Sequence, residues 1–113
     1  MPADPRLTSE MLVGALRRRV TDSGGFATVV AKGDAISGVI LVQALEKGAF
    51  QGLFERVSNL DGGGALMRCG PSAEEGPEAL DQYLARRRRS DPDLWIIELD
   101  IPDAERFAAG TIC

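Results

Sequence analysis

The stretch YLARRRRSDPDLWIIELDI, from Tyr83 to Ile101, constrains this chain more than any other. Its first part ends a helix whose apolar side is Leu80, Tyr83 and Leu84. Pro92 stops that helix, because the residue before a proline is driven out of the α region. Leu94 to Ile101 then reads as a strand. Trp95, Ile97, Leu99 and Ile101 share one side, and Leu94, Ile96, Glu98 and Asp100 the other. One side is wholly apolar, and the second turns polar halfway along. Arg87 falls near the centre of the helix's apolar side, whereas Arg86, Arg88 and Arg89 fan outward. Either its stem lies along the core edge with the guanidinium in water, or it pairs with an acid or stacks on Trp95. Arg87, Asp91, Asp93 and Trp95 are expected to form a structural junction, not a catalytic site.

Before that corner, Thr8 or Ser9 can cap a helix running to about Asp22. Leu12, Leu16 and Val20 make its apolar face, with Arg17 and Arg18 opposite and Arg19 at the margin. Gly24-Gly25 ends it. FATVVA (Phe26–Ala31) reads as a strand, Lys32–Ser37 as a turn, and Gly38–Leu45 as a central strand buried on both faces. Phe50–Val57 reads as a half-exposed strand with Phe50 and Phe54 on one side and Gln51 and Glu55 on the other. NLDGGG (Asn59–Gly64) is a hairpin loop, and Ala65–Cys69 a fourth strand near an edge. Ser72 and Glu75 have capping-box spacing, but Gly76-Pro77 follows at once, so the box is not expected. The second helix is placed from Pro77 to about Arg89. Asp103 is expected to cap a short final helix anchored by Phe107.

With 113 residues the chain has the length of one domain, 1–113, with residues 1–7 as a loose arm. Hydrophobic content of 44% is too high for disorder. The order α-β-β-β-β-α-β-α with short links predicts an α+β fold: a mainly antiparallel sheet of about five strands, two helices on one face, and a short C-terminal helix. The first two strands are expected to pair, and the first two helices to share a sheet face.

Histidine is absent, which closes off Ser–His–Asp and Cys–His nucleophiles and histidine-ligated metals. Cys69 and Cys113 make neither a disulfide framework nor a zinc spacing, so the chain reads as reduced and cytoplasmic. No apolar run approaches the roughly 18 residues of a membrane span. NLDGGG lacks the Lys-Ser/Thr pair and following helix of a phosphate loop. No cofactor is implied. The charges are uneven: Arg17–Arg19 and Arg86–Arg89 supply seven of the 13 bases, while the chain as a whole is net −4. Three function classes follow. The first is a binding or regulatory module, a homodimer, acting through a patch of Arg17, Arg18, Arg86, Arg88 and Arg89. Apolar sheet surface left bare by one-sided helices supports it. The second is nucleic-acid or phosphate binding by the same arginines, disfavoured by the net charge and by 5% aromatic content. The third is a carboxylate enzyme in which Glu98, Asp100 and Asp103 hold Mg²⁺ or Ca²⁺.

RLTSEMLVGALRRR, GGFATVVAKGDAISGVILV and YLARRRRSDPDLWIIELD together resemble domain-of-unknown-function family 1491. The resemblance covers nearly the whole chain and implies a small bacterial α+β protein. It carries over no activity and no catalytic residue.

Overall fold

The computed structural model describes residues 7–60 and 63–113. Of the expected arm, Met1–Arg6 lie outside the described residues, and Leu7 is partly buried against the core. The first helix, α1 (Ser9–Asp22), starts where the Thr8 hydroxyl accepts from the Met11 N–H at 3.2 Å. Ser9 does different work. It is buried, and its hydroxyl donates to the Gly38 carbonyl at 2.6 Å.

Five strands follow: β1 (Phe26–Ala31), β2 (Ile40–Glu46), β3 (Ala49–Ser58), β4 (Gly64–Cys69) and, after the helix α2 (Pro77–Ser90), β5 (Trp95–Asp100). A last helix, α3, spans Ala104–Ile112. The sheet order is β1-β5-β2-β3-β4. Only β2 and β5 run parallel, so the sheet is mainly antiparallel and the fold is α+β, as the element order predicts. The β3–β4 hairpin closes from Ser58 to Gly64, with Asn59 N–H donating to the Gly63 carbonyl at 2.8 Å; Asp61 and Gly62 lie outside the described residues.

β1 and β2 do not pair, contrary to expectation. β5 lies between them, with Val29 opposite Ile97 and Val42 opposite the same residue from the other side. The reason is burial. Leu94 to Ile97 are all buried, and a strand apolar on both faces belongs inside a sheet. The link Lys32–Val39 is long enough to step over one strand, a gap of about 10 Å.

The helices also divide differently. α1 and α3 share one face, over Ile40, Val42, Ala44, Phe54, Ile97 and Leu99. α2 takes the opposite face, where Leu80, Tyr83 and Leu84 meet Leu41, Leu53, Leu94 and Ile96. Two helices do lie on one face, but the second is α3. α2 is drawn across because β2 and the first half of β5 need apolar cover on both sides. The bare apolar face that supported a dimer is therefore covered in its apolar half.

A β-bulge explains one further difference. Ala44 pairs with Gly52 but Leu45 pairs with Phe50, leaving Gln51 as an extra residue. The bulge turns Phe50 to the α2 face while Phe54 stays in the α1–α3 core. The capping box also forms: Ser72 N–H donates to the Glu75 carboxylate at 2.7 Å. It closes one 3₁₀ turn, Ala73–Glu75, before Gly76 (φ 88°) leads into α2. Asp103 precedes α3 in the left-handed region (φ 58°) and its side chain makes no cap.

Gly33 and Gly38 lie directly against the start of β5. A methyl on either would land on the Asp93 carbonyl and within 2.8 Å of the Trp95 ring. Gly38→Ala should cost about 1–3 kcal/mol through overpacking. The shift of the urea midpoint measures this, with Gly48→Ala as a comparison, since that site is open and its strain comes only from φ 82°.

Candidate functional site

The corner seen in the sequence is a meeting of two loops. Asp34 N–H donates to the Asp93 carbonyl at 3.0 Å, and the Trp95 indole N–H donates to the Asp34 carbonyl at 2.7 Å. Trp95 N–H continues the ladder to Val39 at 2.8 Å. Asp91 shapes the other side of the corner: its carboxylate accepts from Asp93 N–H at 3.1 Å and its carbonyl from Leu94 N–H at 3.2 Å. The Lys32–Val39 link also receives α1, whose Ser9 and Glu10 amides donate to the carbonyls of Ile36 and Ala35. Two of the orphan amides of that helix are satisfied this way.

Asp34 holds the link in shape. Its carboxylate accepts from the amides of Ser37 at 2.9 Å and Ile36 at 3.1 Å. Those backbone bonds, Ser37's foremost, lower its pKa below the ordinary aspartate value of 3.8. The sequence marks Asp34 as the start of the turn Lys32–Ser37, with Gly33, and not as a residue that holds it. Its signal was present as an Asp followed by small residues, the composition of a side-chain-closed turn.

Arg87 joins the corner through its backbone, its carbonyl accepting from the Asp91 N–H at 2.9 Å, but its side chain goes elsewhere. It reaches across the α2 face to Glu55 at 2.9 Å and donates to the Tyr83 hydroxyl at 2.9 Å. Its guanidinium lies 5.8 Å from the Tyr83 ring centre, so the aromatic it meets is Tyr83, not Trp95. Burial works to lower its pKa, but the bonds to Tyr83 and Glu55 outweigh that and raise it. Cys69 lies beside this cluster, and burial pushes its thiol upward, away from the reactive thiolate.

The five patch arginines are divided between the two sheet faces. Arg17 and Arg18 rim a groove of about 660 Å³ on the α1 side, floored by Val13, Val29 and Trp95. Arg88 and Arg89 line a groove of about 290 Å³ on the α2 side, against Ala31 and Leu94. Arg86 lies over the Tyr83 ring at 5.9 Å. What joins the two grooves is Lys32, just past the end of β1, which lines both. Lys32 was not singled out from the sequence, because nothing local marks it; only the placement of β1 at the sheet edge does.

Two other arginines are structural. Arg19 donates to the Gly110 carbonyl at 3.3 Å and to Thr111, and Arg56 donates to the Ile112 carbonyl. Both meet the negative end of α3. Partners so distant in sequence leave no spacing signal. Asp100 is likewise occupied, with its two oxygens accepting from the amides of Lys47 and Gly48 at 2.8 Å each. Glu98, Asp100 and Asp103 are not gathered into a metal cluster, and no group of three or more acids or cysteines able to hold a metal ion occurs among the described residues. No described helix is long and apolar enough to cross a membrane.

The model of a family described as "Protein of unknown function (DUF1491)" matches residues 7–109. The chain belongs to that family. A crystal structure of a DUF1491 family protein from Caulobacter crescentus is 38% identical, with a TM-score of 0.75 over 89% of this chain and 94% of that one. An NMR structure of a DUF1491 family protein from the same organism is 35% identical, with a TM-score of 0.73 over 90% and 92%. The solution structure of protein Atu0922 from A. tumefaciens is 32% identical, with a TM-score of 0.67 over 87% and 88%. No curated protein matches the chain. For this DUF1491 member the relatives establish the family and fold and name no activity.

Two outcomes are expected at these sites. The Asp34 carboxylate stabilises the fold above its unfolded pKa, near 3.8, and that contribution is lost as pH falls through its lower folded value. Asp34→Ala should therefore lower the melting temperature at neutral pH and flatten the acid limb of a plot of melting temperature against pH. For Arg87 and Glu55, side chains 25% and 27% exposed, a double-mutant cycle of Arg87→Leu and Glu55→Gln should give a coupling of roughly 0.5–1 kcal/mol. A coupling of zero would leave Arg87 with its packing and its contacts to Tyr83.

Proposed function

We propose that the protein is a small cytoplasmic binding module, working as a homodimer, that takes an acidic and partly apolar segment of a protein partner into the grooves around Lys32. One observation carries this reading: Lys32 lines both grooves, and Arg17 and Arg18 on one side and Arg88 and Arg89 on the other bring positive charge to the same sheet edge. The chain is otherwise net acidic, so this edge stands out as the place where a carboxylate-bearing ligand is attracted. Arginine forks bind carboxylates in paired hydrogen bonds, which adds geometry to charge.

The lining favours a protein segment over a nucleic acid. The larger groove presents exposed Met11 and partly buried Leu7 and Val29, a surface for aliphatic side chains. Trp95 is only 3% exposed, which leaves it no face on which a base can stack.

The test is binding of the purified chain to a panel of synthetic peptides graded in acidic and apolar content, with a DNA duplex as the competing ligand. Peptides carrying both acids and leucines should bind best. Charge reversal, Arg17→Glu with Arg18→Glu or Arg88→Glu with Arg89→Glu, should weaken them by more than about tenfold, roughly 1.4 kcal/mol. Unchanged peptide binding in both variants would sink the reading. Preference for the duplex, with a steep salt dependence, would replace it with phosphate binding.

A further inference from the structure

We infer that the outer face of α2 is the surface through which two copies of this chain pair, the helices antiparallel, with the acids at the start of each against the arginines at the end of the other. The inference rests on the homodimer reading above and gives that dimer its interface.

α2 turns Leu80, Tyr83 and Leu84 to the sheet, and Arg87 reaches Glu55 from the same side. At 100° per residue Glu78, Gln82, Ala85 and Arg89 fall on the opposite side, and Asp81 and Arg88 share one flank of it. All six are exposed. The charges on this face are sorted by sign. Glu78 and Asp81 stand at i and i+3 near its start, and Arg86 and Arg89 at the same spacing near its end. Side chains so placed are neighbours, and like charges there repel. Neither acid has a base at i+3 or i+4. The helix dipole favours acids in the first turn and bases in the last, but its effect fades within that turn, and Asp81 lies beyond it. Among the described residues, Glu78, Asp81, Arg88 and Arg89 enter no ion pair.

The partner that answers this face is the same face reversed. About a two-fold axis, Glu78 of each copy meets Arg89 of the other, and Asp81 meets Arg88. One register serves both pairings to within about 1.5 Å, the rise of one residue. Its centre falls between Gln82 and Ala85, uncharged residues short enough to let the two helices approach. A parallel alignment would set acids on acids, so charge fixes the orientation. The contact is isologous, and arginine forks suit its carboxylates. Arg88 and Arg89 also line the smaller groove, so a second copy and an acidic peptide compete for them. The groove of Arg17 and Arg18, on the other side of the sheet, stays open in the dimer.

The experiment is sedimentation equilibrium on the full chain at low ionic strength over a wide dilution series. The wild type should show twice the 12.1 kDa chain mass at high concentration and lose it as salt is raised. Two charge reversals are compared: Glu78→Arg with Asp81→Arg, and Arg88→Glu with Arg89→Glu. Each alone should dimerise at least about tenfold more weakly. Mixed in equal amounts, the two should recover the dimer mass, because all-basic and all-acidic helices then face each other. Circular dichroism checks that each variant is folded, and where a double variant is not, Asp81→Arg and Arg88→Glu carry the same comparison. Variants that dimerise as the wild type does, or that stay monomeric when mixed, overturn the α2 interface and leave the homodimer to another surface. A wild type that is monomeric throughout removes the interface and the homodimer together.

Discussion

The architecture depends on the contact between the Lys32–Val39 link and the first residues of β5. Through Asp34, the link accepts the Trp95 indole N–H and donates to Asp93; through Ile36 and Ala35 it receives the first amides of α1. Three segments far apart in sequence are fixed to one another by a loop held in shape by a single carboxylate. Gly33 and Gly38 permit this, because any side chain there would occupy the space of the Asp93 carbonyl. The central strand, the first helix and the basic edge all take their positions from this loop.

That dependence explains what could be read from the residues and what could not. Helix and strand positions followed from apolar spacing and from Pro92, since both signals are local. The centrality of β2 followed from its unbroken apolar run. The pairing of β1 did not, because a short link suggests a hairpin unless a later strand competes for the slot. β5 competes successfully since Leu94 to Ile97 are buried on both faces. The same fact assigns α2 to the face opposite α1. Phe50 escaped alternation because a bulge at Gln51 is a tertiary accommodation with no marker in its neighbours.

The arginines show the same division. Arg17 and Arg18 were legible as an exposed helical face, and Arg88 and Arg89 as an outward fan. Their relation across the sheet depends on Lys32, whose role comes only from topology. Arg87 was legible as anomalous but not as Glu55's partner, because its partner lies on a strand brought under α2 by the fold. Arg19 and Arg56, which meet the carbonyl end of α3, belong to stability more than to recognition.

The parallel pairing of β5 with β2 has a consequence for how the protein is made. The slot between β1 and β2 is filled by the strand that comes latest in the sequence. Until residues 95–100 leave the ribosome, β1 has no neighbour and the β2–β3–β4 meander presents an open apolar flank. Closing that slot joins segments separated by most of the chain, which slows folding relative to local pairing. Nascent or truncated chains would therefore be the species most exposed to aggregation and to chaperone capture.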